Sequence, residues 1–177
     1  YETTSFADIA EEVKISRGNF YYHFKTKDEI LDDVIEMRVK SAFDATKMWD
    51  ANGETPEEQM CQFVEAMMNN KANIAKFGCP VGTLCSELSK ISHYSRDKAA
   101  EIYTIFKDWM VKKCHEIGFA STEAEQVALS FMGRCIGATT LAHAFNNEQH
   151  LDIEGENIKA WFKTQVRSLN LKKQVIN

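Results

Sequence analysis

The sequence predicts an all-α protein: a helix-turn-helix unit followed by a larger helical domain. Three observations carry this. Apolar residues recur at helical spacing along the whole chain, strand-like alternation is absent, and only two prolines and eight glycines interrupt 177 residues. Cap signals then divide the chain into helices.

Phe6, Ile9, Ala10 and Val13 fall at i, i+3, i+4 and i+7, one face of a short helix that Ser5 caps. Ile15 is expected to plug the following turn, which Lys14 must enter, at a cost of about 1 kcal/mol relative to Gly if its backbone is left-handed. Ser16 caps a second short helix that turns Phe20 and Phe24 inward and Gly18, Asn19, Tyr22 and Lys25 outward. Thr26-Lys27-Asp28-Glu29 reads as a capping box opening a third helix that runs to about Met48. It is long enough to join two domains, residues 1–47 and 48–177.

Thr55-Pro56-Glu57-Glu58 starts the next helix, expected to reach Lys76. Gly78-Cys79-Pro80 breaks the chain, with Pro80 opening a shorter helix. A long helix then ends at Gly118. Thr122 and Glu125 are spaced to cap another that reaches about Asn146, residues 147–155 read as polar loop, and the last helix carries Ile158, Trp161, Phe162 and Leu169.

Composition narrows the class. With 44% hydrophobic and 27% charged residues the chain can bury a real core, and no apolar run is long enough to span a membrane. Five cysteines without regular spacing point to reduced thiols and a cytoplasmic location, and no metal or cofactor is expected. Net charge is −5, and residues 1–40 hold six Lys/Arg against nine Asp/Glu, so any attraction for phosphate must be local. It is local: no acidic residue falls between Val13 and Lys27. There the second short helix gathers Arg17, Asn19, Tyr21, Tyr22 and His23 near Lys25 and Lys27, the donors, acceptors and cations that read a nucleic-acid groove. Gly18 would let the backbone approach a phosphate closely.

Ile9-Ala10, Ile15-Ser16, the run Gly18 to Phe24, and Lys27 resemble the DNA-binding signature of the TetR/AcrR family of bacterial repressors. The resemblance implies a homodimer whose N-terminal domain binds palindromic double-stranded operator DNA and whose C-terminal domain binds a small-molecule inducer, apolar or electrophilic. On matched positions Ser5, Lys14, Ser16, Arg17, Gly18, Asn19, Tyr21, Tyr22, His23 and Lys27 form the DNA-facing set, with Arg17 and Asn19 reading bases and Lys27 anchoring a phosphate. The family pattern has Gly where this chain has Lys14, and it has a further helix upstream, so the chain is expected to start within the pattern.

The resemblance also places Phe63, Met67, Phe77, Cys79, Phe106, Trp109, Met110, Phe131 and His143 around the inducer, although aromatics and Met at helical spacing equally describe a core. Ser130, Gly133, Gly137 and Ala138 make one small-faced helix suited to close packing, in the family between subunits. Cys79 precedes a helix start, where a thiol gains reactivity toward electrophiles; an inert capping thiol is the alternative. Two other functions stay open. One is a helical small-molecule-binding protein without DNA affinity. The other is an enzyme using Cys79 or Cys85 with His93 or His115, which the absence of Gly-x-Ser-x-Gly, phosphate-loop and zinc-protease motifs disfavours; no catalytic activity is expected.

Overall fold

The structure, a computed structural model, describes residues 3–176, the side chain of Arg17 and a few near the C-terminus excepted. These residues form nine helices: α1 (Phe6–Glu12), α2 (Arg17–His23), α3 (Lys27–Asn52), α4 (Pro56–Asn69), α5 (Lys71–Phe77), α6 (Gly82–Lys90), α7 (Arg96–Ile117), α8 (Ser121–Ala144) and α9 (Gln149–Ile176).

Local chemistry fixes most boundaries. At the start of α1, Ser5 Oγ accepts the Asp8 N–H at 3.2 Å, and Ser5 N–H donates to Asp8 Oδ2 at 2.7 Å. Ser16 Oγ accepts from Asn19 N–H, Thr26 Oγ1 from Glu29 N–H and Thr55 Oγ1 from Glu58 N–H. Only half of the expected box forms at α3, because Glu29 reaches past Thr26 to the Lys25 N–H at 2.6 Å.

Three helices end in the same way. Lys14 (φ 56°), Ser92 (φ 50°) and Asn146 (φ 47°) take left-handed backbone. Each is followed by an N–H returning five residues back: Ile15 to Ala10, His93 to Leu88, Asn147 to Ala142. This is the Schellman closure, with a side chain where Gly is usual.

Four boundaries differ from expectation. The helix expected from Pro56 to Lys76 is broken at Asn70, whose N–H is shared between the Ala66 and Met67 carbonyls (3.2 Å each) and whose backbone leaves helical values. The helix after the Gly78 break starts at Gly82, not Pro80, because Val81 is its first half-in residue. Ala120 rather than Thr122 borders α8, so Thr122 is inside the helix. Residues 149–155 are helical, since Asn147 Oδ1 accepts the Gln149 N–H at 3.1 Å and caps α9 two residues after the turn.

The main core gathers α4, α7, α8, α9 and the last turns of α3 around Met60, Met110, Phe131 and Phe162, all essentially without exposure. Each such side chain contributes about 1.5–3 kcal/mol by leaving water. A second cluster joins Leu31 and Ile35 of α3 to Cys85 and Leu88 of α6 and Ala99 of α7. Thus α3 is a strut, pinned at one end to α6 and α7 and at the other, through Trp49, to the main core. A polar knot reinforces that end. Trp109 Nε1–H donates to Asp50 Oδ1 (2.9 Å), and the buried Lys113 ammonium pairs with Asp50 (2.9 Å) and Glu116 (2.8 Å).

No helix among the described residues is long and apolar enough to cross a membrane.

Candidate nucleic-acid interface and ligand cavity

α1 and α2 are held together by aromatic contacts. The Phe6 ring meets Phe20 edge-on at 4.9 Å and stacks on Tyr21 at 5.1 Å, and Phe20 meets Phe24 at 5.6 Å. With Ala10 and Phe20 buried, the opposite face of α2 is left to solvent. Gly18, Asn19, Tyr21, Tyr22 and His23 are all exposed, Tyr22 at 76%. A Cβ on Gly18 would meet nothing within 4 Å, so the backbone there is open to approach.

The remaining residues of the sequence-read set have local work as well. Ser5 and Ser16 are helix caps, with hydroxyl hydrogens left over. Tyr21 spends one ring face on Phe6. Lys14 is exposed at the left-handed turn. Lys27 Nζ donates to the Thr4 carbonyl at 3.0 Å, tying α3 to the segment before α1, and Lys25 Nζ donates to the Tyr21 and Tyr22 carbonyls, closing the end of α2. The Arg17 side chain lies outside the described residues. Ile15 does not plug the turn: it is 43% exposed, as is Val13 at 50%.

In the body an apolar cavity of about 160 Å³ lies between α3, α4, α5, α7 and α8. Of the nine sequence-read ligand residues, Phe63, Met67, Cys79 and Phe106 line it. His143 lines a second, more polar cavity of about 310 Å³ that also reaches Cys79. Trp109, Met110 and Phe131 are core instead, on neither wall. Phe77 faces solvent, 63% exposed beneath the Lys76 ammonium at 4.9 Å, because α5 docks through Ile74 and Ala75 and the chain then turns at Gly78 (φ 83°).

Sequence reading missed Asn70, Tyr103, Cys135, Ile136 and Thr139 on the inner wall. A signal existed for two of them. Cys135 and Thr139 are four apart on the buried face of α8, small polar residues among apolar ones.

The cysteine chemistry is quiet. Burial pushes the Cys114 and Cys135 thiols up to about 12 and raises those of Cys61 and Cys85. Cys85 Sγ donates to the Ala99 carbonyl, and the His93 ring is taken up by Asp28 (3.4 Å) and the Ser95 N–H (3.1 Å), so neither is arranged as nucleophile or base. Cys79 Sγ accepts the Gly82 N–H at 3.5 Å. No group of three His, Cys, Asp or Glu side chains among the described residues is placed to hold a metal.

A small helix pair with a polar outer face, tied by one long helix to a bundle with an internal cavity, is the plan of a helix-turn-helix transcriptional regulator. Known proteins agree. Residues 1–34 match the profile of bacterial regulatory proteins of the tetR family, and residues 56–157 match that of the LmrA/YxaF-like transcriptional regulator C-terminal domain. The chain belongs to the TetR family. The uncharacterized HTH-type transcriptional regulator in the lacX 3'region of Lactococcus lactis subsp. lactis is 29% identical over 113 residues, 59% of this chain and 54% of that one. The chain thus spans about half the length of that curated relative. The fold resembles the crystal structure of a TetR transcriptional regulator from Legionella pneumophila (TM-score 0.77, 19% identity, 93% of this chain and 87% of that one). It also resembles that of a TetR-family regulator from Streptomyces coelicolor (TM-score 0.75, 13% identity, 92% and 85%).

Proposed function

We propose that this protein is a dimeric repressor that binds a palindromic operator through α2 and releases it when a small molecule fills the body cavity. The observation that carries the reading is the outer face of α2. Asn19, Tyr22 and His23 project from it unburied, the opposite face is fully used by Phe6, Phe20 and Phe24, and no carboxylate interrupts residues 14–27. Asn19 suits a base edge, while the tyrosine hydroxyls and Lys14 suit phosphates.

Dimerisation fits α8 and α9. Leu129, Gly133, Gly137 and Leu141 recur every four residues along α8 and all are exposed, with open space over both glycines. Ala138, read from sequence as part of this stripe, is buried within its own subunit. Ile153 and Leu171 leave apolar surface exposed on α9. A two-fold through this face would carry two α2 helices into successive major grooves, about 34–36 Å apart. One end of the strut touches the cavity directly, since Trp49 lies on its wall, and the other end is linked to it through α6, which packs on Leu31 and Ile35 and begins beside the cavity. A ligand that favours one setting of α3 shifts the spacing of the two α2 helices and lowers operator affinity. Cys79, on the walls of both cavities, is the thiol that an electrophilic inducer would meet.

The test is an electrophoretic shift on DNA from upstream of the protein's own gene at about 0.15 M salt. Expected is a sequence-specific complex that Asn19→Ala and Tyr22→Ala each weaken about tenfold or more while leaving helicity unchanged. Absence of sequence-specific binding by the unaltered protein rejects the proposal.

A further inference from the structure

The two cavities are adjoining chambers of one site: Cys79, Tyr103, Ile136 and Thr139 line both. Their chemistry is opposite. The inner chamber, about 160 Å³, is walled by Trp49, Phe63 and Phe106, whose rings meet at 5.2–5.8 Å and tilted or edge-on angles. Apolar cavities of about 150 Å³ stay dry and accept a molecule the size of benzene. Aromatic walls in such mutual orientations favour a further ring.

The outer chamber is hydroxylic and cationic, with Thr83, Ser86, Thr140, Lys90 and His143 on its walls. Among the described residues no Asp or Glu lines either chamber. Lys90 has no hydrogen bond or ion pair among the described residues, so its ammonium is a cation in a concave surface without a counter-ion. At the junction stands the Tyr103 hydroxyl, 3.0 Å from where a Cβ on Gly82 would sit and likewise without a hydrogen-bond partner among the described residues. Burial pushes this phenol up to about 12, which keeps it a donor at physiological pH. His143 Nδ1 lies 3.0 Å from the Ala75 carbonyl and donates to it, leaving Nε2 as the ring's remaining polar atom.

We infer that the site takes a small aromatic carboxylate, its single ring in the inner chamber and a short arm carrying the anionic end past Tyr103 toward Lys90. This rests on the reading of the cavity as the inducer site. The volume excludes multi-ring bodies from the inner chamber, and the lack of any carboxylate on either wall disfavours amines.

The test is calorimetric titration of the intact chain with 3-phenylpropionate, its primary amide and 3-phenylpropylamine. Expected is binding of the acid, at least tenfold weaker binding of the amide, and no heat from the amine. Lys90→Gln should erase the difference between acid and amide, and Ala66→Phe, which fills the inner chamber, should abolish both; a melting curve verifies that each variant folds. The inference is overturned if the amide or amine binds as well as the acid, if none of the three binds, or if acid binding survives both substitutions. Should the protein shift its upstream DNA yet ignore the acid, the ligand class falls and the regulator reading stands. Should it bind the acid yet no DNA, the operator reading falls and the ligand class stands.

Discussion

The head (α1 and α2) and the body (α4, α7, α8 and α9) are held by different physics. In the head, the buried side chains among the described residues are Ala10 and Phe20, and order comes from two serine caps, a Schellman turn and four contacting rings. In the body, Met60, Met110, Phe131 and Phe162 are wholly buried in one continuous cluster contributed by helices distant in sequence. The lesson is a division of labour. The head can leave nearly a whole helix face of polar and aromatic groups to solvent because its fold is specified locally. The body carries the stability and can enclose a cavity because its packing is long-range.

The sharpest way to break that contrast is in the body. Phe131→Ala removes a ring that touches Phe63 (6.4 Å) and Phe162 (5.2 Å), and should cost about 3–5 kcal/mol in denaturant unfolding. A value under about 1 kcal/mol would mean that the body is not the stabilising unit.

Next is the knot at the end of α3. Asp50→Ala strips Trp109 Nε1–H of its acceptor and leaves buried Lys113 with Glu116 alone, for an expected loss of about 1–2 kcal/mol after allowing for the partial exposure of Asp50. Burial raises the Asp50 pKa, but its bonds to Lys113 and Trp109 outweigh that and hold it below the ordinary value. A lowered folded-state pKa gives stability that is complete above the unfolded value, near 4, and is lost as pH falls through the folded one. The gap between parent and variant should therefore start to narrow below about pH 4 and close only below the folded pKa of Asp50, and a gap that stays constant or widens on acidification would refute this account.

Smaller effects should appear in the head. Tyr22→Ala removes a ring of α2 that is 76% exposed and should change unfolding by less than about 0.5 kcal/mol while weakening operator binding about tenfold. A large stability loss would make that face structural. Lys14→Gly relieves the left-handed backbone at a cost in chain entropy, so stability should rise by at most about 1 kcal/mol, read from the melting temperature. If DNA binding appears only in this variant, the parent is not a working repressor.

The all-helical class, most helix starts and the composition of the α2 face follow from the sequence itself, because caps, turns and helical periodicity act over a few residues. Lys14 shows how local the turn is: the resemblance, whose pattern has Gly at that position, raised a left-handed backbone as a condition, and the residue has one. What needed the tertiary structure was any choice set by a distant partner. Gly155 reads as the end of a loop, yet it is helical, because its bare backbone lets α9 pass over Met68 and Val64 of α4. Phe63 and Phe131 read alike as helical aromatics, yet one lines a cavity and the other is core. Helical spacing tells which face of a helix turns inward; whether that face meets another side chain or an empty chamber depends on how helices far apart in the chain come together.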